Sequence, residues 1–93
     1  MSSTEEIRTR IKQIIHKVAN IPAERIGDHA SLRDDLNLDS LSLLEVGVNV
    51  DFEFKLGIAN LDERMPALAT VDSAVALVEE LLREKTVSQV AAT

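Results

Sequence analysis

Two segments of this 93-residue chain repeat apolar residues at the period of an α-helix, and that limits what the segment between them can become. In the first, Ile7, Ile11, Ile14, Ile15 and Val18 share one face, with Arg8, Arg10, Lys12 and Lys17 on the other. In the last, Val71, Ala74, Val75, Val78, Leu81 and Leu82 recur at the same spacing. The middle segment is ambiguous. From Val46 on, Val48, Val50, Phe52, Phe54, Leu56 and Ile58 alternate strictly with Gly47, Asn49, Asp51, Glu53, Lys55 and Gly57, which is a strand pattern. As a helix it buries Leu41, Leu44 and Val48 on one face with Leu43, Val50 and Phe54 beside them. A lone strand among helices leaves its backbone N–H and C=O groups without a pairing partner. Ser40 to Leu56 is therefore predicted to be helical, breaking near Gly57.

Local signals mark where these helices begin and end. Ser3-Thr4-Glu5-Glu6 reads as a capping box, with Glu6 reaching back to the N–H of Ser3, and Asn20 and Pro22 close the first helix. Residues 21–38 form a long polar connection that Ile26, Leu32, Leu36 and Leu38 can pin to the bundle, with one helical turn predicted at Ser31-Leu32-Arg33-Asp34. Asn60-Leu61-Asp62-Glu63 is a second capping box, and Pro66 soon closes the short helix it starts. Thr70 caps the last helix, which has Asp72 in its first turn and Arg83 and Lys85 in its last, as the helix dipole favours. Thr86 to Thr93 is expected to fray. The prediction is an all-α fold, a small four-helix bundle of three long helices and one short helix with a long first loop. It occupies 1–93 as a single domain, with a core at about 4–85 and a flexible tail at 86–93.

Composition excludes several functions. The chain carries 16 acidic and 10 basic residues, net −6, which argues against nucleic acid or anionic membrane as partner and favours basic protein surfaces. It has no cysteine, so neither a disulfide framework nor a thiolate metal site is available. No apolar run approaches membrane-spanning length and the N-terminus lacks the pattern of a signal peptide, so a soluble cytoplasmic protein is expected; a monomer is expected as well. His16 and His29 read as surface residues, with no Gly-x-Ser-x-Gly elbow to activate a serine. Asp28, Asp34 and Asp35 lack the spacing and glycine of a calcium loop.

The candidate site is Asp39-Ser40. A carboxylate at Asp39 can accept a hydrogen bond from a first-turn N–H group, which makes it a good N-cap. Ser40 is then the first helical residue, with an outward hydroxyl beside free N–H donors and the positive dipole end. Such a hydroxyl suits the attachment of an anionic group.

Leu36-Asn37-Leu38-Asp39-Ser40-Leu41, Thr70-Val71-Asp72-Ser73-Ala74 and the helix layout together resemble the acyl carrier protein family over roughly Glu5 to Lys85. The resemblance implies that Ser40 receives a 4′-phosphopantetheine arm from coenzyme A, attached by a separate phosphopantetheinyl transferase. The chain itself would then be no enzyme. The arm's thiol would hold acyl groups as thioesters, and Asp39 would contact the transferase's Mg²⁺. Leu41 would touch partner enzymes, while Asp35, Glu45, Asp51 and Glu53 with Asp39 would steer their basic patches. Leu44, Gly47, Val48 and Val50 are the expected lining for a folded-back acyl chain. An aminoacyl or peptidyl carrier, or an unmodified helical adaptor, would share the same pattern.

Three residues depart from the fatty-acid carriers. Ser42 keeps only the polarity of the residue usual after Asp-Ser-Leu. Gly47 stands where they have a bulky aliphatic, and Phe52 where they have an acidic surface residue. Phe52 is thus either a core residue on a rotated helix or an exposed contact. A second helix this apolar suggests a specialised carrier for fatty-acid, lipid or polyketide-type synthesis.

Overall fold

The computed structural model describes residues 4–58 and 61–92. Helix α1 spans Thr4–Ala19, α2 Ser40–Phe54, α3 Leu61–Arg64 and α4 Val71–Ala92, with 3₁₀ turns at Ala23–Arg25 and Met65–Leu68. The all-α bundle with three long helices, a single-turn α3 and a long first loop agrees with the sequence reading. The proposed caps at Ser3 and Asn60 lie outside the described residues.

Helix α1 packs against both α2 and α4. It does so because Ile7, Ile11 and Ile15 form one fully buried row, with Ile14 and Val18 partly buried beside it. Asn20 ends α1 by entering the left-handed region at φ 59° while its N–H donates to the His16 carbonyl at 2.8 Å. On its polar face, Arg8 reaches Asp72 of α4 at 2.7 Å and Lys12 reaches Asp28 of the first loop at 2.6 Å.

The strand-like alternation after Val46 resolves into a helix for a geometric reason. Every second pair in a period-two pattern is also spaced i, i+4, so Val46, Val50 and Phe54 form a helical row that is buried, together with Leu43. The remaining members, Val48 and Phe52, are carried to the opposite face. The expected buried face of Leu41, Leu44 and Val48 is therefore wrong, since these residues are 65%, 40% and 52% exposed. The helix also ends two residues earlier than predicted. Lys55 takes a left-handed C-cap at φ 53°, and the Asp51 carboxylate accepts the N–H groups of Gly57 and Ile58. Gly57, at φ 66°, completes the reversal without the strain a side chain would meet there.

Helix α4 buries Val71, Ala74, Val75 and Val78 as predicted, and also Leu77. Its cap is reciprocal: Thr70 Oγ1 accepts from the Ser73 N–H at 3.0 Å, and Ser73 Oγ accepts from the Thr70 N–H at 2.9 Å. The helix continues to Ala92, past the end predicted at Lys85.

The long loop is stitched down rather than merely pinned. Ile26, Leu32 and Leu38 are buried, and Leu36 is partly so. Ser31 pairs with Thr70 in an isolated antiparallel bridge, in which Leu32 N–H donates to Ala69 O at 2.9 Å and Val71 N–H to Ala30 O at 3.1 Å. The Asp72 carboxylate also meets Nδ1 of His29 in a hydrogen bond. The entry to α2 is thus fixed against the start of α4.

Candidate functional site

The chain enters α2 through a short succession of buried and exposed residues. Leu38 is buried and its N–H donates to Leu32 O at 3.0 Å, so the backbone just before the helix cannot drift. Asn37 supplies the bend, at φ 58°. Asp39 is extended at φ −86°, ψ 178°, and its carboxylate accepts the Ser42 N–H at 2.8 Å. This is the predicted N-cap. The hydrogen bonds from the Ser42 N–H and then from its hydroxyl hold the Asp39 carboxyl below the usual carboxylate range, so it is charged at neutral pH.

Ser40 comes next as the first residue of α2, exposed. Leu41 beside it is also exposed, and Leu43 then turns into the core. A hydroxyl presented between two buried leucines on a capped helix start is both accessible and fixed in direction. It stands at the end of α2 where unpaired N–H groups and the dipole favour an anion.

The remaining candidates separate by what their side chains already hold. Asp35 accepts the Ser31 N–H at 2.8 Å, Asp51 closes the C-terminus of α2, and Glu53 pairs with Arg10 at 3.1 Å. Glu45 is exposed, and its carboxylate has no partner among the described residues. Of the four residues expected to line an acyl site, Gly47 and Val50 face inward, whereas Leu44 and Val48 face solvent because the helix is rotated from the predicted orientation. Sequence reasoning missed Leu61 and Leu68. Their side chains crowd the point where a Cβ on Gly47 would sit, reaching to 3.1 Å and 3.2 Å from it. No sequence signal could have found this, because the short α3 has too few turns to show a periodic face.

An open groove of about 650 Å³ lies between α1 and α2, lined by Arg10, Ile14, Lys17, Asn49 and Phe52 among others. It flanks the C-terminal half of α2 and does not include Ser40.

A family described as "Phosphopantetheine attachment site" matches residues 9–64, which include the whole of α2 and its cap. The acyl carrier protein of Acidothermus cellulolyticus is 42% identical over 73 residues, covering 78% of this chain and 84% of that protein. This chain belongs to the acyl carrier protein family. The meromycolate extension acyl carrier protein of Mycobacterium tuberculosis is 39% identical over 80 residues, 86% of this chain and 68% of that protein. The acyl carrier protein of Buchnera aphidicola subsp. Schizaphis graminum is 38% identical over 69 residues, 74% and 85% respectively. As an acyl carrier, the protein holds acyl intermediates as thioesters on a phosphopantetheine arm. Its partners are a phosphopantetheinyl transferase and the enzymes that process acyl groups. No helix among the described residues is long and apolar enough to cross a membrane.

Proposed function

We propose that the arm is attached at Ser40 Oγ and that the carrier does no chemistry of its own. The observation that carries this reading is the exposed Ser40 hydroxyl on the first residue of α2, directly after the Asp39 cap. In a transferase complex, Ser40 Oγ would lose its proton and attack the pantetheine-side phosphorus of coenzyme A's pyrophosphate, forming the phosphodiester bond to the arm as the P–O–P bond breaks and adenosine 3′,5′-bisphosphate leaves. The thiol at the arm's far end supplies thioester chemistry when bound. Asp39 does two things there: it fixes the helix start that aims Ser40, and its charged carboxylate is an oxygen ligand for the transferase's Mg²⁺.

Of the predicted partner-binding residues, Leu41 and Glu45 are the two whose side chains are exposed and not engaged within the chain among the described residues. Asp35, Asp51 and Glu53, engaged within the chain, add to the acidic field that steers basic enzyme surfaces, an effect that weakens with salt. Gly47, which Leu61 and Leu68 approach, and Val50 remain the candidate lining for an acyl chain, without the exposed Leu44 and Val48. The apolar outer face of α2 supports a specialised carrier serving a dedicated synthase or transferase, acting as a cytoplasmic monomer.

Intact mass after incubation with coenzyme A and a broad-range transferase tests the attachment. The protein gains one phosphopantetheine mass and Ser40→Ala gains none. Modification of Ser40→Ala, or no gain in the parent protein with several transferases, would overturn the assignment.

A further inference from the structure

The groove between α1 and α2 is built from one face of each helix and takes no part in the attachment at Ser40. Arg10, Ile14 and Lys17, with Gln13 beside them, follow at helical spacing on α1, and Asn49, Phe52 and Glu53 do so on α2. Its volume of about 650 Å³ lies within the range of small-molecule sites. The charges inside it run against those of the whole chain. In a protein of net charge −6, this recess holds Arg10 and Lys17, joined by His16 when protonated, against the single carboxylate of Glu53.

Local pairing decides which of these charges is available. Arg10 is committed, since it lies 3.1 Å from Glu53, 3.2 Å from Glu6 and 6.0 Å from the centroid of the Phe54 ring. His16 Nδ1 donates to Ile21 O at 2.8 Å, which puts the proton of the neutral ring on Nδ1 and leaves Nε2 an acceptor. Lys17 is exposed, and its ammonium has no partner among the described residues. The dipole of α1 favours a cation in its last turn but gives no reason for an aromatic ring across the groove. Phe52 is 84% exposed there, with the partly buried Ile14 on the facing helix.

One free cation, an amide donor at Gln13 and an apolar wall together specify the occupant. We propose that the groove between α1 and α2 binds an aryl monocarboxylate, with its carboxylate on Lys17 and Gln13 and its ring against Phe52 and Ile14. A flat ring can stack offset on Phe52 and removes that exposed side chain from water. A nucleotide brings two or more negative charges to one free cation on a protein of net −6. An alkyl acid must order a flexible chain in an open groove, at an entropic cost that a rigid ring does not incur. Because α2 also carries Ser40, a bound ligand joins the helix of the attachment site to α1 and stabilises the bundle by mass action.

Titration of the isotope-labelled protein with naphthoate, followed by amide chemical shifts and by thermal unfolding, tests the proposal. Saturable shifts are expected on α1 from Arg10 to Asn20 and on α2 from Asn49 to Glu53, with a Kd on the order of 1 mM and a Tm that rises with ligand. Lys17→Met should weaken binding about fivefold, with Lys17→Arg within about twofold of the parent. Phe52→Ser should weaken it about fivefold as well, and so should replacing the probe by naphthylmethanol, which keeps the ring and lacks the charge. Lys17 and Phe52 are both exposed, so these variants are expected to fold, and their unliganded Tm reports whether they do. Shifts that stay linear with concentration overturn the proposal, as does naphthylmethanol binding as tightly as naphthoate. A loss in Arg33→Met equal to that in Lys17→Met overturns it too, because Arg33 is exposed outside the groove and would then report only non-specific charge. Tighter binding of decanoate or adenosine monophosphate than of naphthoate overturns the choice of ligand. None of these outcomes bears on Ser40, which intact mass after arm loading decides separately.

Discussion

Gly47 is where backbone propensity and packing oppose each other, and the structure says which prevails for each substitution. Glycine within a helix costs about 1 kcal/mol relative to alanine, so Gly47→Ala gains that much from the backbone alone. Against this, the new Cβ would lie 3.1 Å and 3.4 Å from the two terminal methyls of Leu61 and 3.2 Å from a methyl of Leu68. These contacts are a few tenths of an ångström too close. Leu61 is only partly buried and can give way, whereas Leu68 is buried and less free. The two effects nearly cancel, and Gly47→Ala should change stability by less than about 1 kcal/mol. Gly47→Val adds two further methyls in the same place and loses helix propensity through its β-branch. Overpacking of this kind typically costs about 1–3 kcal/mol, and for a domain of this size about 2 kcal/mol lowers Tm by roughly 8–16 °C. Thermal and urea unfolding followed by far-ultraviolet circular dichroism measures both. A valine variant as stable as the parent, or an alanine variant that loses as much as valine should, would refute the account of a glycine kept for the approach of Leu61 and Leu68.

Three further outcomes are expected from the same geometry. Val46→Ser should destabilise by about 2 kcal/mol or more while Val48→Ser stays within about 0.5 kcal/mol, because one side chain is buried and the other faces solvent; equal urea midpoints would mean the helix is rotated otherwise. Asp39→Ala should lose about 1 kcal/mol with the cap and also slow arm loading, whereas Asp39→Asn keeps the cap and slows loading alone, as seen by pairing unfolding curves with transferase kinetics. The Asp72 carboxyl is held low by the hydrogen bond from Arg8 and then by His29, and that of Asp28 by Lys12. A carboxyl with a lowered folded-state pKa contributes stability above its unfolded value near about 4, and this is lost as pH falls through the folded value. Urea midpoints should therefore fall below about pH 4, and Arg8→Met with Lys12→Met should flatten that fall; an unchanged acid limb in the double variant would show that these pairs do not set it.

The site was more legible than the helix that carries it. Asp39 and Ser40 could be read directly because an N-cap is a local device: the carboxylate, the Ser42 N–H it accepts and the first helical residue all lie within four positions. The Thr70 cap and the Asn20 terminus were legible for the same reason. The face of α2 was not. Its apolar residues exceed what one buried stripe needs, so several rotations bury comparable area, and the alternation from Val46 to Ile58 even suggested a strand. Packing chose the rotation, by placing Val46, Val50 and Phe54 in the core and by admitting Leu61 and Leu68 at Gly47.

The sequence by itself determined the helical class, the helix starts, the acidic charge and the serine on which the family resemblance centres, because these depend on neighbours along the chain or on composition alone. Tertiary structure decided which carboxylates remain free and which hydrophobic residues stay outside. Arg8 and Asp72 are 64 positions apart and meet only when α1 lies on α4, and Ser31 meets Thr70 only when the loop folds across both. Glu45 is left open, and Phe52 exposed, because the opposite face of α2 already fills the core. A surface of this kind is what remains after packing, so no local pattern could have encoded it.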